Sequence, residues 1–381
     1  MNQWRGPERP ADEQRATRTD EHPTVPTWTP APPPAGRGRL GAGVVAALIA
    51  ALLLFGGVGL YAVRQGTVAD AGASSPEAAA GGLLAALDRQ DLDQAANYLG
   101  GEERLLLATY GNRLQALLAG PIAGMQGGVD LSASNVRFRR VAGTGGPGVA
   151  VVELAGGTIG GRDARGAKLE LPAEELNRRL AAETRGAVGA FRVVTVQQGD
   201  SWQVALLATL AEYARLTARG GEPDWGLLAG GDPATPGASS PEAAVRDLAG
   251  AFEADPQQAW RRLAPDERRI LGAYQRSAPA GEPNPLTQLD RLAYRLEGLQ
   301  TRTEPVAGQV ARVRLTAGRL VRPPSGYQAP DAPRSTELQD LAPEPGTTPY
   351  VMTIQQDGTW YPSLVFTITD WMLTRAERER P

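Results

Sequence analysis

Apolar residues are distributed along this chain in three successive patterns. The first forty residues show no periodicity and few adjacent apolar side chains. An apolar segment, 41–63, follows without a single charged residue. From residue 72 onward a helical period of about 3.6 gives way to a strand period of 2, and this sequence of periods occurs twice. The distribution predicts a disordered tail, one membrane-spanning helix and two copies of an α+β domain.

The apolar segment 41–63 comprises 23 residues, GAGVVAALIAALLLFGGVGLYAV. A helix of this length crosses the roughly 30 Å hydrocarbon core of a bilayer. Arg37 and Arg39 precede the segment, whereas only Arg64 follows it closely. By the positive-inside tendency, the Pro-rich tail 1–40 is predicted to be cytoplasmic and the C-terminal region to lie outside the cell membrane.

Two alternatives concern this segment. A cleaved signal peptide is the competing interpretation, since 69–71 (Ala-Asp-Ala) has the small-x-small form of a cleavage site. The long charged region before the segment and its 23 apolar residues favour an uncleaved anchor. Gly43, Ala47 and Ala51 form a small-xxx-small ridge that would allow homodimerisation through the anchor.

The chain also contains an internal duplication. The octapeptide GASSPEAA occurs at 72–79 and again at 237–244, an offset of 165 residues. VAVVELAGG from Val149 matches VARVRLTAG from Val310, and VVTVQQGDSW from Val193 matches VMTIQQDGTW from Val351. The offset falls gradually along the chain, as deletions in loops would produce in tandem domains.

The repeats define the domain organisation. It comprises a tail 1–40, a transmembrane helix 41–63, a first domain 72–219, a Gly/Pro-rich linker 220–238 and a second domain 239–376.

Each copy is predicted to begin with three helices and to end with an antiparallel sheet. Ser75 and Ser240, each followed by Pro, are typical N-caps. Further helices are predicted over 92–99 and 102–118 and over the equivalent stretches of the second copy. Alternation then predicts strands with one covered and one solvent-facing face, so the helices are expected on one face. The last predicted element is a hairpin carrying Trp202 or Trp360.

These features resemble the NTF2-like (cystatin-like) superfamily. The residues concerned are the Ser-Pro-Glu-Ala-Ala helix start, the DLDQA turn, the third helix and the QQGDSW or QQDGTW hairpin. More narrowly, 74–215 and 239–375 resemble exported NTF2-like domains of actinobacterial single-pass membrane proteins. The resemblance implies two cones in which helices pack on a curved antiparallel sheet, with a mouth that can hold a small molecule. It does not choose between catalysis and binding, because the family includes isomerases, dehydratases and non-catalytic binding domains.

Composition removes several kinds of chemistry. The chain has no cysteine, and its one histidine, His22, lies in the tail. Disulfides, thiolate metal sites and a histidine base in the domains are therefore excluded. The formal charge of −3 does not suit nucleic-acid binding, and no spacing indicates a metal or cofactor site. An enzyme would have to use Tyr98, Tyr110, Tyr213 or Tyr274 with Asp88, Asp91 or Asp255. Each of these is more simply a packing or turn residue.

The sequence therefore predicts a membrane-anchored, extracytoplasmic, non-catalytic binding or interaction protein of the cell envelope. Its ligand would be an envelope protein, a cell-wall component or an apolar small molecule. No catalytic or metal-binding residue is assigned, and the ligand-binding candidates are Trp202, Trp360, Tyr110 and Tyr274. The alternatives are an NTF2-like enzyme with an Asp/Tyr pair in one cone, and a structural or assembly factor that dimerises.

Overall fold

The computed structural model describes residues 72–119, 131–162, 168–231, 235–255, 258–277, 295–321, 335–341 and 347–378. The predicted tail and the predicted transmembrane helix lie outside these ranges. Among the helices that the structure describes, none is both long and apolar enough to cross a membrane. The two copies belong to one compact unit.

The first copy alternates helices and strands in an α+β arrangement. Its elements are α1 (Pro76–Asp88), α2 (Leu92–Asn97), α3 (Gly101–Ala119), β1 (Ser132–Gly146), β2 (Val149–Arg162), β3 (Lys168–Pro172), α4 (Ala173–Glu183), β4 (Arg192–Gln198), β5 (Ser201–Val204) and α5 (Leu206–Thr217).

The second copy repeats this order, with 3-10 turns at the places of α2 (Ala259–Arg262) and α4 (Leu338–Leu341). Its other elements are α6 (Pro241–Ala254), α7 (Pro265–Tyr274), β6 (Arg295–Ala307), β7 (Val310–Val321), β8 (Ser335–Glu337), β9 (Tyr350–Gln356), β10 (Thr359–Ser363) and α8 (Leu364–Arg378).

The first helix of each copy begins as predicted. The Ser75 side chain accepts a hydrogen bond of 3.1 Å from the Ala78 amide, and Ser240 accepts one of 3.1 Å from Ala243. Proline occupies the first helical position in both. The capping serine satisfies an amide that the helix leaves without an internal partner.

The two sheets have the same topology. Each contains five antiparallel strands, in the order β1-β2-β4-β5 with β3 paired to β2, and β6-β7-β9-β10 with β8 paired to β7. The register is also the same, since Val149 lies opposite Val196 in one sheet and Val310 opposite Ile354 in the other. The repeat in the sequence thus corresponds to a repeat in the pairing of the strands.

The inner face of the first sheet is closed by apolar side chains. Leu83, Leu84 and Leu87 of α1 pack with Val152 of β2 and Phe191 before β4, and all five are buried. Burying large aliphatic and aromatic side chains in this way stabilises the folded state by roughly 1.5 to 3 kcal/mol per side chain.

The outer face of the same sheet is also buried, so the prediction of helices on one face only is wrong. Val149 and Val151 of β2 point away from α1 and pack with Trp225 and Leu228, which follow the first copy. The segment 220–238, predicted as a linker, thus contributes core residues.

The strand β1 has the predicted alternation of covered and solvent-facing residues. Val136 and Phe138 are partly buried, while their neighbouring arginines are exposed.

The prediction that each copy ends on a hairpin is also wrong. A helix follows each hairpin, α5 in the first copy and α8 in the second. The residue before α5 is Ala205, which has no side chain that can cap the helix. The local sequence therefore lacks the usual start signal for α5, whose cap comes from a distant residue, whereas α8 follows Ser363, which accepts from the Phe366 amide at 3.1 Å.

Candidate functional site

The third helix of the first copy packs on the sheet of the second copy. Tyr110 and Leu114 of α3 are buried against Val310, Met352 and Ile354 of the second sheet. The Tyr110 ring also contacts Phe366 of α8, with the ring centroids 5.8 Å apart. The outer face of the second sheet is therefore covered by a helix of the other copy.

The third helix of the second copy packs in the same way on the sheet of the first copy. Ala273 is buried and Tyr274 partly buried where α7 meets Val151 and Val194 of the first sheet. The Tyr274 ring meets Trp225 edge to face, with centroids 6.4 Å apart and an interplanar angle of 81°. The third helices of the two copies thus cover each other's sheets, an arrangement we call the reciprocal helix packing.

Each third helix still contacts its own copy through its opposite side. Leu107 of α3 belongs to the apolar core of the first copy, and Leu271 of α7 packs with Leu248 and Trp260 of the second. Leu107 and Leu271 are equivalent positions. Each third helix therefore lies between two apolar surfaces and joins the copies into one packed body.

The two third helices begin side by side. The Glu102 amide donates to Asp266 Oδ2 at 3.2 Å, and the Asp266 amide donates to Glu102 Oε1 at 2.7 Å. Arg269 forms an ion pair with Asp266. Carboxylates at helix N-termini satisfy free amides and interact favourably with the helix dipole. Each helix here is capped by the other copy.

The next residue of each third helix caps the C-terminal helix of its own copy. Glu103 Oε1 accepts from the Leu207 amide of α5 at 3.1 Å. Glu267 accepts from the Leu364 amide at 2.9 Å, from the Val365 amide at 3.0 Å and from the Ser363 hydroxyl. Glu103 thus supplies a cap that the sequence before α5 lacks, and Glu267 adds to the local cap of α8, in which Ser363 Oγ accepts from the Phe366 amide at 3.1 Å.

Burial changes the acidity of this carboxylate cluster. It raises the pKa of Glu103 to about 7, against the opposing effect of the Leu207 amide. Burial, followed by the nearby Glu267 and Glu103, raises the pKa of Glu102 well above its usual range. Burial also raises the pKa of Glu267, while its three hydrogen-bond donors act in the opposite direction. Part of the cluster is therefore protonated near neutral pH.

The four residues predicted to bind a ligand are distributed over different surfaces. Tyr110 is fully buried on the second sheet and Tyr274 is packed on the first. Trp202 and Trp360 are half-buried on the last strands, where their backbones pair with Ala73 and Ala238 through hydrogen bonds of 2.8 and 2.9 Å. The structure does not bring the four together, and their binding role stays a prediction.

Three of the Asp and Tyr candidates for catalysis, Asp88, Asp91 and Tyr213, make structural hydrogen bonds. Asp88 Oδ1 accepts from the Ala133 amide at 3.0 Å, and Asp91 Oδ1 accepts from the Gln94 amide at 3.0 Å to cap α2. The Tyr213 hydroxyl accepts from the Arg192 amide at 2.8 Å.

A groove that the sequence did not predict lies between α8 and the second sheet. The groove encloses about 330 Å³, and none of its twelve lining residues is acidic. Aromatic side chains come from Tyr350 and Trp371. Four threonines and four arginines also line it, the arginines being Arg312, Arg314, Arg375 and Arg378. We call this feature the arginine groove. The sequence signal for it was the basic end of α8.

A buried carboxylate lies beneath the arginine groove. Asp370 of α8 is fully buried and pairs with Arg113 at 2.9 Å and with Arg312 at 2.5 Å. The Arg312 guanidinium lies 4.8 Å from the centre of the Tyr350 ring. Burial, followed by the charge of Asp370, raises the pKa of Tyr350 to about 12. Asp370 thus joins an arginine of each copy, and one of the two, Arg312, lines the groove.

Within the described ranges, no group of three or more His, Asp or Glu residues is arranged to hold a metal ion. No protein-family model, no curated protein and no solved structure matches this chain.

Proposed function

We propose that this protein is a non-catalytic binding protein of the cell envelope, anchored by the helix 41–63 and exposing two NTF2-like domains outside the membrane. The observation that carries the binding role is the arginine groove, a concave surface with four arginines, two aromatic rings and no acidic lining residue. Arginine presents a planar fork of donors that matches carboxylates and phosphates. The proposed ligand is therefore an anion.

The NTF2-like assignment is supported by the order of elements. In each copy, helical segments precede an antiparallel sheet that ends in a hairpin, and the first helix crosses that sheet. Helices segregated on an antiparallel sheet are typical of α+β domains. The membrane anchor is supported by the length of segment 41–63 and by the arginines before it.

The groove is a better candidate for binding than the interior of the first copy. The space between α1 and the first sheet is filled by buried side chains such as Leu83, Leu87 and Phe191. A ligand there would have to displace apolar contacts worth several kcal/mol. The groove, in contrast, is already open and concave, as most ligand sites are.

The proposal is tested by native mass spectrometry of the full-length protein extracted gently from its own membrane. Two variants on β7 provide a matched comparison. Arg314 lines the groove and pairs with Glu304 of β6 at 2.6 Å, whereas Arg319 lies outside it and pairs with Glu297 of β6 at 3.0 Å. An adduct that is lost in Arg314→Gln and retained in Arg319→Gln supports the groove as the binding site.

Two results would contradict the proposal. The first is a bare protein in the wild-type spectrum, and the second is an adduct that Arg314→Gln leaves unchanged. The anchor is tested separately by extraction of the membrane fraction with alkaline carbonate. A spanning helix resists this extraction, whereas a peripherally bound protein is released.

A further inference from the structure

We propose that α8 docks on an anionic lipid surface, with the arginines of the groove on lipid phosphates and the exposed apolar residues of the helix at the acyl boundary. This inference rests on the proposed anchor and specifies the ligand of the proposed groove. The inference is based on three exposed apolar residues of α8, Leu364, Ile368 and Met372, and on the arginine groove.

The first observation is a concentration of exposed apolar side chains. Among the described residues, five large apolar side chains are exposed, and three of these lie on α8. Leu364, Ile368 and Met372 are 44%, 54% and 48% exposed. Their spacing of four residues places them on one face of the helix. We call this face the apolar stripe of α8.

The second observation is that α5, the equivalent helix in the first copy, has no such stripe. Leu206 occupies the position of Leu364 and is buried. The opposite side of α8 is buried, since Phe366 and Leu373 belong to the apolar cluster between α3 and the second sheet. The stripe is therefore an additional apolar surface, beyond what the fold needs.

The third observation is the charge beside the stripe. Arg375 and Arg378, at the end of α8, are exposed and line the arginine groove. The Arg375 guanidinium lies 5.8 Å from the centre of the Trp371 ring. Apolar residues, an interfacial tryptophan and adjacent arginines on one helix are typical of helices that lie on anionic membranes. A soluble anion would use the groove but leaves the stripe unexplained.

The fourth observation is the short segment between the predicted anchor and the first copy. The predicted anchor ends at Val63 and the described first copy begins at Gly72, which leaves eight residues, 64–71. Such a segment spans at most about 28 Å. The tethered domains therefore remain close to the bilayer, and a high effective concentration allows a weak surface contact to be populated.

The absence of cysteine permits a direct test. A single thiol introduced by Met372→Cys is labelled with the fluorophore NBD in the full-length protein. Phe252→Cys is the matched control, because Phe252 is an exposed apolar residue on α6, with 40% of its surface accessible. Each labelled protein is placed in lipid nanodiscs of neutral phosphatidylcholine, or of phosphatidylcholine with one third phosphatidylglycerol. A trace of nitroxide-labelled lipid quenches any NBD that reaches the bilayer.

Docking predicts strong quenching at Met372→Cys in the anionic nanodiscs, and little quenching in the neutral ones or at Phe252→Cys. Replacing Arg375 and Arg378 by glutamine lowers the docking equilibrium about thirtyfold, since each arginine near an anionic surface contributes a factor of about five. High salt is also expected to weaken docking, because it screens the attraction between the arginines and the anionic lipids.

Equal quenching at the two labels, or equal quenching in neutral and anionic nanodiscs, would overturn the inference. So would an NBD signal that responds to added inorganic phosphate or to an acidic peptide but not to lipid quencher, because that result assigns the groove to a soluble anion or a protein. If the chain fails to insert into nanodiscs, the anchor proposal fails. Docking is then decided by quenching of the same label on anionic and neutral vesicles.

Discussion

Glu102 and Asp266 occupy equivalent positions in the two copies, and the carboxylate of each accepts a hydrogen bond from the backbone amide of the other. A contact of this kind is self-complementary, as at a twofold axis between identical subunits. The duplication has thus produced within one chain the geometry of a symmetric dimer. The buried surface between the copies includes Tyr110 on one side and Tyr274 on the other.

The first prediction concerns an isolated copy. A fragment 72–238 contains both the helix α3 and the outer sheet face that α7 normally covers. Because exposed Val149, Val151 and Val194 would be unfavourable in water, we expect two fragments to pair and cover each other's sheets. Size-exclusion chromatography coupled to light scattering should show a concentration-dependent dimer of the fragment. The region 72–381, which contains both copies, serves as the control. A fragment that stays monomeric and cooperatively folded would contradict the reciprocal helix packing as a requirement for stability.

The second prediction uses two neighbouring glycines at the end of the first copy. A Cβ at Gly220 would lie 2.0 Å from the backbone oxygen of Ser277 in the second copy, whereas a Cβ at Gly221 would meet no atom within 4 Å. Gly220→Ala is therefore expected to destabilise the protein by about 1 to 3 kcal/mol through steric overlap. Gly221→Ala should change the free energy of unfolding by less than about 1 kcal/mol. Urea titrations of both variants measure the difference, and equal midpoints would show that the two copies are not in contact here.

The third prediction compares the two equivalent tyrosines. The Tyr274 hydroxyl donates to the Ala208 carbonyl at 3.3 Å and contacts Glu212, while the buried Tyr110 hydroxyl has no hydrogen-bond partner among the residues that the structure describes. Tyr274→Phe should cost roughly 0.5 to 1.5 kcal/mol, because it removes hydrogen bonds. Tyr110→Phe should leave stability unchanged or increase it, because it removes an unsatisfied buried polar group. Thermal unfolding of the two variants measures this difference in stability. A larger loss of stability for Tyr110→Phe than for Tyr274→Phe would contradict the prediction.

The fourth prediction concerns pH. The pKa of Glu103 rises from 4.5 to about 7 on folding because the carboxyl is buried. Between these values the folded protein keeps a proton that the unfolded chain has lost, so stability falls as pH rises and the stabilising contribution is lost above pH 7. The difference amounts to about 3 kcal/mol. Glu103→Gln should reduce the loss of stability between pH 4.5 and pH 7.5 by about this amount.

A control variant separates this effect from general changes in charge. Glu337 is an exposed residue of β8, so Glu337→Gln should leave the pH dependence of unfolding unchanged. Identical slopes for Glu103→Gln and the unmodified protein would mean that the Glu103 carboxyl titrates normally in the folded state.

Several elements of the fold were predictable because their signals are local. Ser75 with Pro76 and Ser240 with Pro241 indicated where the first helices begin, and the structure confirms both. The third helices were also predicted, since 101–119 and 265–274 are helical. The helix α8 was missed although Ser363 accepts from the Phe366 amide as a local N-cap, and α5 was missed because its cap, Glu103, lies on another helix. A start signal supplied across about one hundred residues leaves no trace in a local window.

The arginine groove could not be predicted for a related reason. Arg312 and Arg314 belong to β7 and Arg375 to α8, so the sequence separates them by about sixty residues. Arg312 and Arg314 fit the alternation of a strand with one solvent-facing side, and Arg375 belongs to the basic end of a helix. Only the packing of α8 over β7 and β9 turns these separate arginines into one concave surface.

By itself, the sequence determined that the region after residue 72 is duplicated, that its chemistry excludes cysteine and histidine in both copies, and which segments begin as helices or alternate as strands. The tertiary structure alone decided that α3 covers the second sheet and α7 the first. The physical reason is that periodicity records which face of an element is apolar. Two homologous sheets offer nearly the same apolar surface, and only packing and the contact of Glu102 with Asp266 choose between them.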